Sequence, residues 1–394
     1  MISTISESDK NLLKIPLSEP CISGNEWKYV KDCLDTGWVS SVGGYVTRFE
    51  EMIANYVGAK YAVATVNGTS ALHVSLLVCG VQPNDEVIVP ALTFIAPVNV
   101  IRYCSAYPVF MDCDIDTLCI NVQKMSDFIS NECEQHRDGY TYNKKTNRKI
   151  KAVIPVHIFG HPVDMDGLLE ICAKYNIDII EDATESLGSE YKGKKTGSLG
   201  KTGCFSFNGN KIITTGGGGM IVTDDESIAK RARHLTTQAK SDPFEYDHDE
   251  IGYNYRLTNI QAAMGVAQME RLDEFIDIKR RNYSVYKSLF SDIEGVEIFG
   301  EKKCVRSNFW FYTIKVNNSH KRPLMEFLLA KNIQVRPIWK LIHTLPMYKD
   351  SQTYAIENAV EAYKTCINLP CSVSLKEEDI GFIVENIKSY FGRR

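Results

Sequence analysis

The chain has 394 residues, enough for a large core and for two domains. Its formal net charge is −4, close to balance, which argues against nucleic acid or an anionic membrane as the main partner. No apolar run approaches the roughly 20 residues of a membrane span, and the opening MISTISESDKNLLKIPL lacks the basic start and apolar stretch of a signal peptide, so the expectation is a cytoplasmic protein.

From Lys60 strand and helix patterns alternate. YAVATV reads as a buried strand and GTSALHVSLLVCG as a helix stopped by Gly80. DEVIVP and YPVFMDCD read as strands on either side of a helical APVNVIRYC. The segment SNECEQHRDGYTYNKKTNRKIK is polar, turn-rich and without apolar period, so a surface hairpin is expected there. KAVIPVHIF is another buried strand, VDMDGLLEICAKYN an amphipathic helix, and IDIIED a strand ending on two acids. This order predicts a mostly parallel sheet with helices on both faces. Ligands of such sheets bind beyond the carboxyl ends of the strands. A polar, acidic loop at 242–250 marks a change of character. A long helix is expected after it, with Leu257, Ile260, Met264, Ala267 and Leu272 at helical spacing. The remainder reads as a smaller α+β domain, so the expected division is 1–250 and 251–394.

Several features invite readings that their surroundings oppose. The cysteines are scattered, with no C-x-x-C pair, and read as reduced, mostly buried thiols. GSLGKTG at 197–203 imitates a phosphate loop, but Lys195 stands where that motif needs glycine, and a strand rather than a helix follows. GGGG at 216–219 lacks spaced glycines and a following helix, so a tight turn is expected. His157 and His161 in HIFGH lack the glutamate of a helical zinc motif, and no metal site is expected.

Four pieces remain, each at a predicted strand end or turn. NGTSAL offers Thr69 and Ser70 at a helix start, where backbone N–H groups and hydroxyls suit a phosphate. Alone it is explained equally well as a helix cap. ALTFIAP puts Phe94 just after a strand, where its ring could stack on a planar ligand or fill the core. IIEDATES ends a buried strand on Asp182, a carboxylate that is costly there without a positive partner. CFSFNGNKIITTGGGGMIVT carries Ser206 and Lys211. A pyridinium cofactor accounts for all four together. Thr69, Ser70 and Ser206 would serve a phosphate, Phe94 a flat ring, Asp182 a protonated ring nitrogen and Lys211 an aldehyde; pyridoxal 5′-phosphate carries these groups.

The run EDATESLGS…GKTGCFSFNGNKIITTGGGGMIVTDD, with NGTSALH, ALTFIAP and GYNYRLTNIQAAMG, resembles the sugar-nucleotide aminotransferases of the DegT/DnrJ/EryC/StrS group. The resemblance runs from IPLSEP to CINLPCS, nearly the whole chain. It implies an α/β protein of the aspartate-aminotransferase-like fold (pyridoxal-phosphate-dependent transferase fold type I), with a large, mostly parallel-sheet domain and a smaller C-terminal α+β domain. It places Lys211 on the lysine that bonds the cofactor aldehyde, Asp182 on the ring-nitrogen partner and Phe94 on the stacking ring. Thr69, Ser70 and Ser206 fall on phosphate contacts. Glu185 falls where many members carry Gln or His near the ring hydroxyl. Asn254 or Arg256 falls on a loop reaching the neighbouring subunit's cofactor phosphate, with Asn254 favoured, so a homodimer with shared active sites is implied. Trp38, Ser40, Arg256, Arg336 and His343, with Trp339, are candidates for holding the nucleotide sugar. Relatives that dehydrate replace the lysine with histidine; Lys211 favours transamination, with L-glutamate as donor.

Within the group, TGWVSSVGGYVTRFE, VHIFGHPVDMD and SFNGNKIITTGGGG look most like the legionaminic-acid branch. That likeness points to UDP-4-keto-6-deoxy-N-acetylglucosamine as acceptor, for surface glycan or nonulosonic acid synthesis. The alternative is GDP-4-keto-6-deoxymannose, the perosamine type. A third reading, of another class, is a non-catalytic regulatory or binding protein on the same fold; the presence of Lys211 and Asp182 argues against it.

Overall fold

The computed structural model describes residues 15–242 and 244–392. The signal-peptide reading of the first residues falls mostly on 1–14, outside the described residues. The main sheet runs, in spatial order, Tyr61–Thr65, Gly219–Thr223, Thr202–Ser206, Asp178–Asp182, Arg148–Val153, Glu86–Pro90, Tyr107–Met111 and Thr353–Tyr354. Gly219–Thr223 is antiparallel to both neighbours, and the other strands of this row run parallel. Glu86–Pro90 is buried at every position, as expected of a strand covered on both faces. Gly80, the expected helix stop, has φ +78°, a conformation that glycine adopts without a Cβ penalty.

The polar interruption is a hairpin, Cys133–Gln135 against Thr141–Asn143, which widens the sheet beside Arg148–Val153. The expected long helix is instead two, Asn259–Met269 and Leu272–Phe290. The break falls at Glu270 and Arg271. The Glu270 carboxylate accepts hydrogen bonds from Asn25 Nδ2 at 2.7 Å, Tyr29 OH at 2.8 Å and Arg48 Nη2 at 3.1 Å. Those tertiary bonds leave no trace in the periodicity.

A second, antiparallel sheet orders Val296–Ile298, Tyr312–Val316, Cys366–Leu369 and Arg336–Pro337. It lies wholly after residue 251. Other elements after that point join the first body: Asn259–Met269 packs on the helices Glu26–Thr36 and Gly44–Val57, and Thr353–Tyr354 pairs with Tyr107–Met111. Ten of the twelve cysteines are buried and all are free thiols. Among the described residues no helix is long and apolar enough to cross a membrane.

Candidate active site

Asp178–Asp182 and Thr202–Ser206 are parallel neighbours, and their carboxyl ends open into a cavity of about 740 Å³. The helix Gly68–Val78 points its N-terminus into the same space, and Thr69 lies in its first turn. Asn67 caps that helix, its Oδ1 accepting the Ser70 N–H at 2.7 Å. A helix start with this polarity favours an anion. Ser206, Asn208, Gly217 and Gly218 complete a small polar cup beside Thr69. The expected tight turn is instead a bend at Gly216 and Gly217, with Gly219 already opening the next strand, and Gly217 and Gly218 line the cavity.

Asp182 is only 3% exposed, and burial pushes its carboxyl up, against the pull of Thr184, Lys211 and His157. Its carboxylate accepts the Thr184 N–H at 3.1 Å. A buried acid facing a cavity with so little support calls for a donor, preferably charged, from a ligand. The next residue back, Glu181, is fully satisfied. It accepts from Gly197 N at 2.8 Å, Leu199 N and Gly200 N at 2.6 Å, and pairs with His157 Nε2 at 2.9 Å. The false phosphate loop thus wraps a carboxylate of its own chain. His157 Nδ1 accepts the Val163 N–H at 3.1 Å, so both ring nitrogens are engaged within the protein.

Lys211 Nζ lies 3.6 Å from Glu185 Oε1 and 4.0 Å from the centroid of the Trp310 ring. Glu185 is held at its other oxygen by the Phe159 N–H at 2.8 Å, and burial pushes its carboxyl up to about 7, against the Lys211 charge. Phe94 stands at the mouth, 54% exposed and 6.1 Å from the Trp339 ring centroid, so it is not a core residue. Arg336, Trp339 and Lys340 from the C-terminal part form the far wall.

Eight expected residues therefore meet in one cavity: Thr69, Phe94, Asp182, Glu185, Ser206, Lys211, Arg336 and Trp339. Ser70 does not line it; its N–H serves the helix cap and its side chain is buried in the helix. His343 also lies outside the lining, with its ring 6.3 Å from that of Phe110. Arg256 is committed to Glu50 Oε1 at 2.5 Å and to Ala64 O at 3.2 Å, so within its own subunit it does not reach the cavity. Trp38 and Ser40 are exposed away from the cavity lining, and their carbonyls accept from Asn259. Asn254 is exposed and likewise outside the lining. Sequence reasoning missed Trp310, Asn208, Asn210 and Gly68. Trp310 sits in the aromatic run NFWFY, which reads as strand core and carries no sign of a site.

This donor set fits pyridoxal phosphate: an anion cup at a helix start, a buried acid in need of a cationic partner, and one lysine between them. A parallel-sheet protein with these groups at its strand ends is a pyridoxal-phosphate-dependent aminotransferase of fold type I. The chain belongs to the DegT/DnrJ/EryC1/StrS aminotransferase family, whose pattern it matches over residues 20–388. A protein of Escherichia coli O157:H7 named GDP-perosamine synthase is 40% identical over 379 residues, covering 96% of this chain and 98% of its own. One of the same name from Caulobacter vibrioides is 38% identical over 383 residues, covering 95% and 97%. A Streptococcus pneumoniae chain described as a sugar aminotransferase, solved in its PLP form, is similar with a TM-score of 0.87 at 26% identity, covering 96% of this chain and 99% of that one.

Proposed function

We propose that this protein transfers an amino group from L-glutamate to C4 of a nucleotide-linked 4-keto-6-deoxy sugar, and that the acceptor is GDP-4-keto-6-deoxymannose. The observation carrying the nucleotide is the pair of full-length relatives named GDP-perosamine synthase. The motif likeness that pointed to a UDP sugar is local, whereas these relatives span nearly the whole chain, so the guanine nucleotide is the better reading.

Bound pyridoxal phosphate supplies a ring that accepts the electron pair left when a proton leaves the carbon bearing the amine. Thr69, Ser206 and the helix N-terminus would hold its phosphate, Phe94 would pack against the ring, and Asp182 would keep the ring nitrogen protonated. Lys211 Nζ takes the proton from the α-carbon of glutamate and, in the return half, delivers one to C4 of the sugar. Both halves use the same cavity, so the keto acid leaves before the sugar enters, which gives ping-pong kinetics. Arg336 on the cavity wall presents a guanidinium to the nucleotide phosphates, which it can grip through two parallel bonds. His343 lies outside the cavity lining and has no part in this grip.

The site of one subunit leaves Asn254, Trp38 and Ser40 unused. Phe244, Tyr246 and Ile251, on the segment leading to Asn254, are exposed apolar side chains. A homodimer in which each copy lends this segment to the other's site accounts for both facts.

The deciding experiment offers 4-keto GDP-, UDP- and dTDP-sugars with glutamate and follows the amino sugar by mass spectrometry. Turnover of the GDP sugar at least tenfold faster than the others is expected. A preference for the UDP sugar returns the reading to the legionaminic-acid branch.

A further inference from the structure

Lys211 does not stand free in its cavity. Its side chain is 12% exposed, with the Trp310 ring 4.0 Å away and Glu185 Oε1 3.6 Å away. Both neighbours are fixed from behind. The Trp310 N–H donates to Asn308 Oδ1 at 2.9 Å and its indole Nε1 to Asn210 O at 2.7 Å, one residue before the lysine. The Trp310 carbonyl accepts from Lys279 Nζ at 3.1 Å. Lys279 is buried, which pushes its amine below the usual lysine range, and it has no carboxylate partner among the described residues; its other bond goes to Cys371 O at 2.5 Å. Every polar group of Trp310 is thus occupied, and what remains is its ring face, turned to Lys211. Glu185 is held by the Phe159 N–H at 2.8 Å, and Phe159 takes φ +55°, an unusual conformation for so bulky a residue.

We propose that Trp310 and Glu185 form a receptor for the free Lys211 ammonium, the place the lysine occupies whenever it is not bonded to the cofactor. The proposal rests on the reading of Lys211 as the transaminating lysine. In the cofactor-free protein the Lys211 side chain is only 12% exposed, a place where an unpaired ammonium is costly. An indole face is the best of the aromatic faces for a cation, and a carboxylate on a second side adds its charge. Held there, Nζ stays inside the cavity and does not swing to solvent, which is the positional advantage a proton-transfer base needs. To act as that base the ammonium must give up a proton. Glu185 is beside it, with burial pushing its carboxyl up to about 7. The transfer breaks an N–H bond of Lys211, forms an O–H bond on Glu185 and needs no other reactant. Trp310 acts through Lys211, so it is a positioning residue.

The test uses full-length protein stripped of cofactor and treated with cyanate at about pH 8, with carbamylation of Lys211 read by peptide mass spectrometry. Removing a stabiliser of the ammonium raises the reactive amine fraction. Trp310→Leu and Glu185→Gln should each raise the Lys211 rate about fivefold, and Trp310→Phe, which keeps a ring face, less than about twofold, on the magnitude of a desolvated cation–π contact. The differences should shrink as the pH rises to about 10.5, where lysines lose their charge. Equal rates in wild type and Trp310→Leu overturn the receptor, as does a gap that persists at high pH, which reports only a widened cavity. In the loaded enzyme, Trp310→Leu should lower kcat of the glutamate half-reaction about tenfold with KM within twofold, at the low end of what a misplaced base costs. A loaded wild type whose colour glutamate does not bleach overturns the transamination reading and the lysine's release with it. Bleaching together with unchanged Lys211 reactivity in Trp310→Leu overturns the receptor alone.

Discussion

Gly68 and Ser206 touch so closely that a Cβ built on Gly68 would lie 2.8 Å from Ser206 Cβ, nearer than real Cβ contacts come. The same Cβ would meet Phe205 O at 3.3 Å, so the neighbour on that side is backbone and cannot turn away. The helix start and the strand end that make the anion cup are therefore pressed together, and only glycine allows it. Gly68→Ala should push Ser206 out of the cup. The expected cost is about 1–3 kcal/mol of stability, with cofactor affinity falling at least about tenfold. Thermal melts and cofactor titration of the same preparation check both parts. Unchanged affinity would show that the cup lies elsewhere.

Glu181 and Asp182 are adjacent acids with separate duties, and substitution should separate them. Asp182→Asn keeps the volume but cannot hold a ring nitrogen protonated. Cofactor should still bind, while the glutamate half-reaction slows by at least about a hundredfold, the scale of losing one preorganised electrostatic partner. Glu181→Ala should leave three loop N–H groups and His157 without their acceptor, costing about 3 kcal/mol or more, since each unsatisfied buried group carries a penalty. Stopped-flow absorbance on the first variant and denaturant unfolding on the second distinguish them. A normal half-reaction in Asp182→Asn would remove Asp182 from the mechanism.

The parallel sheet was legible because its strands are continuous buried runs between amphipathic helices, a pattern set by local composition. Lys211, Asp182 and Ser206 were legible for a related reason: each ends or follows a strand, and strand ends in such sheets converge. Trp310 was not. It comes from the connection into the second sheet, and only tertiary packing brings it over Lys211. Arg256 shows a different limit: its place in GYNYRL suggests a ligand arm, while within its own subunit its guanidinium joins Arg233 on the buried Glu50 carboxylate, a pairing that local sequence does not show. The break at Glu270 was hidden likewise, because its partners lie more than 200 residues away in the chain.

Glu185 gives the stripped protein a pH dependence with a definite sign. Burial raises its carboxyl from an ordinary 4.5 to about 7 in the folded chain. Between those values the native state holds a proton that the unfolded state has released. Stability from this group is therefore present at low pH and is lost as the pH rises toward 7. Glu185→Gln cannot ionise and should not share the loss. The difference in melting temperature, variant minus wild type, should grow more positive from about pH 5 to about pH 7.5. A difference that stays flat across that window would mean the Glu185 carboxyl is not raised.

The last prediction concerns assembly. Asn254 is exposed and stands outside the cavity of its own subunit, whereas Lys211 lies inside it. If a second copy supplies Asn254 to the cup that Lys211 faces, each site needs one residue from each chain. Lys211→Ala and Asn254→Ala should both be inactive as homodimers. In a mixed dimer, the chain that keeps Lys211 receives an intact Asn254 from its partner, so one of the two sites is whole. Random exchange of equal amounts makes half the dimers mixed, and each has one working site of two. About a quarter of wild-type activity should return, rising toward about a half if mixed dimers are enriched, on two-site symmetry. Native mass spectrometry counts the mixed dimers, and glutamate-dependent turnover measures the recovery. Mixed dimers present in the expected share but without recovery would rule out the shared site. An active Asn254→Ala homodimer would remove that residue from the cup, and the same experiment with Trp38→Ala would then show whether the neighbouring copy contributes at all.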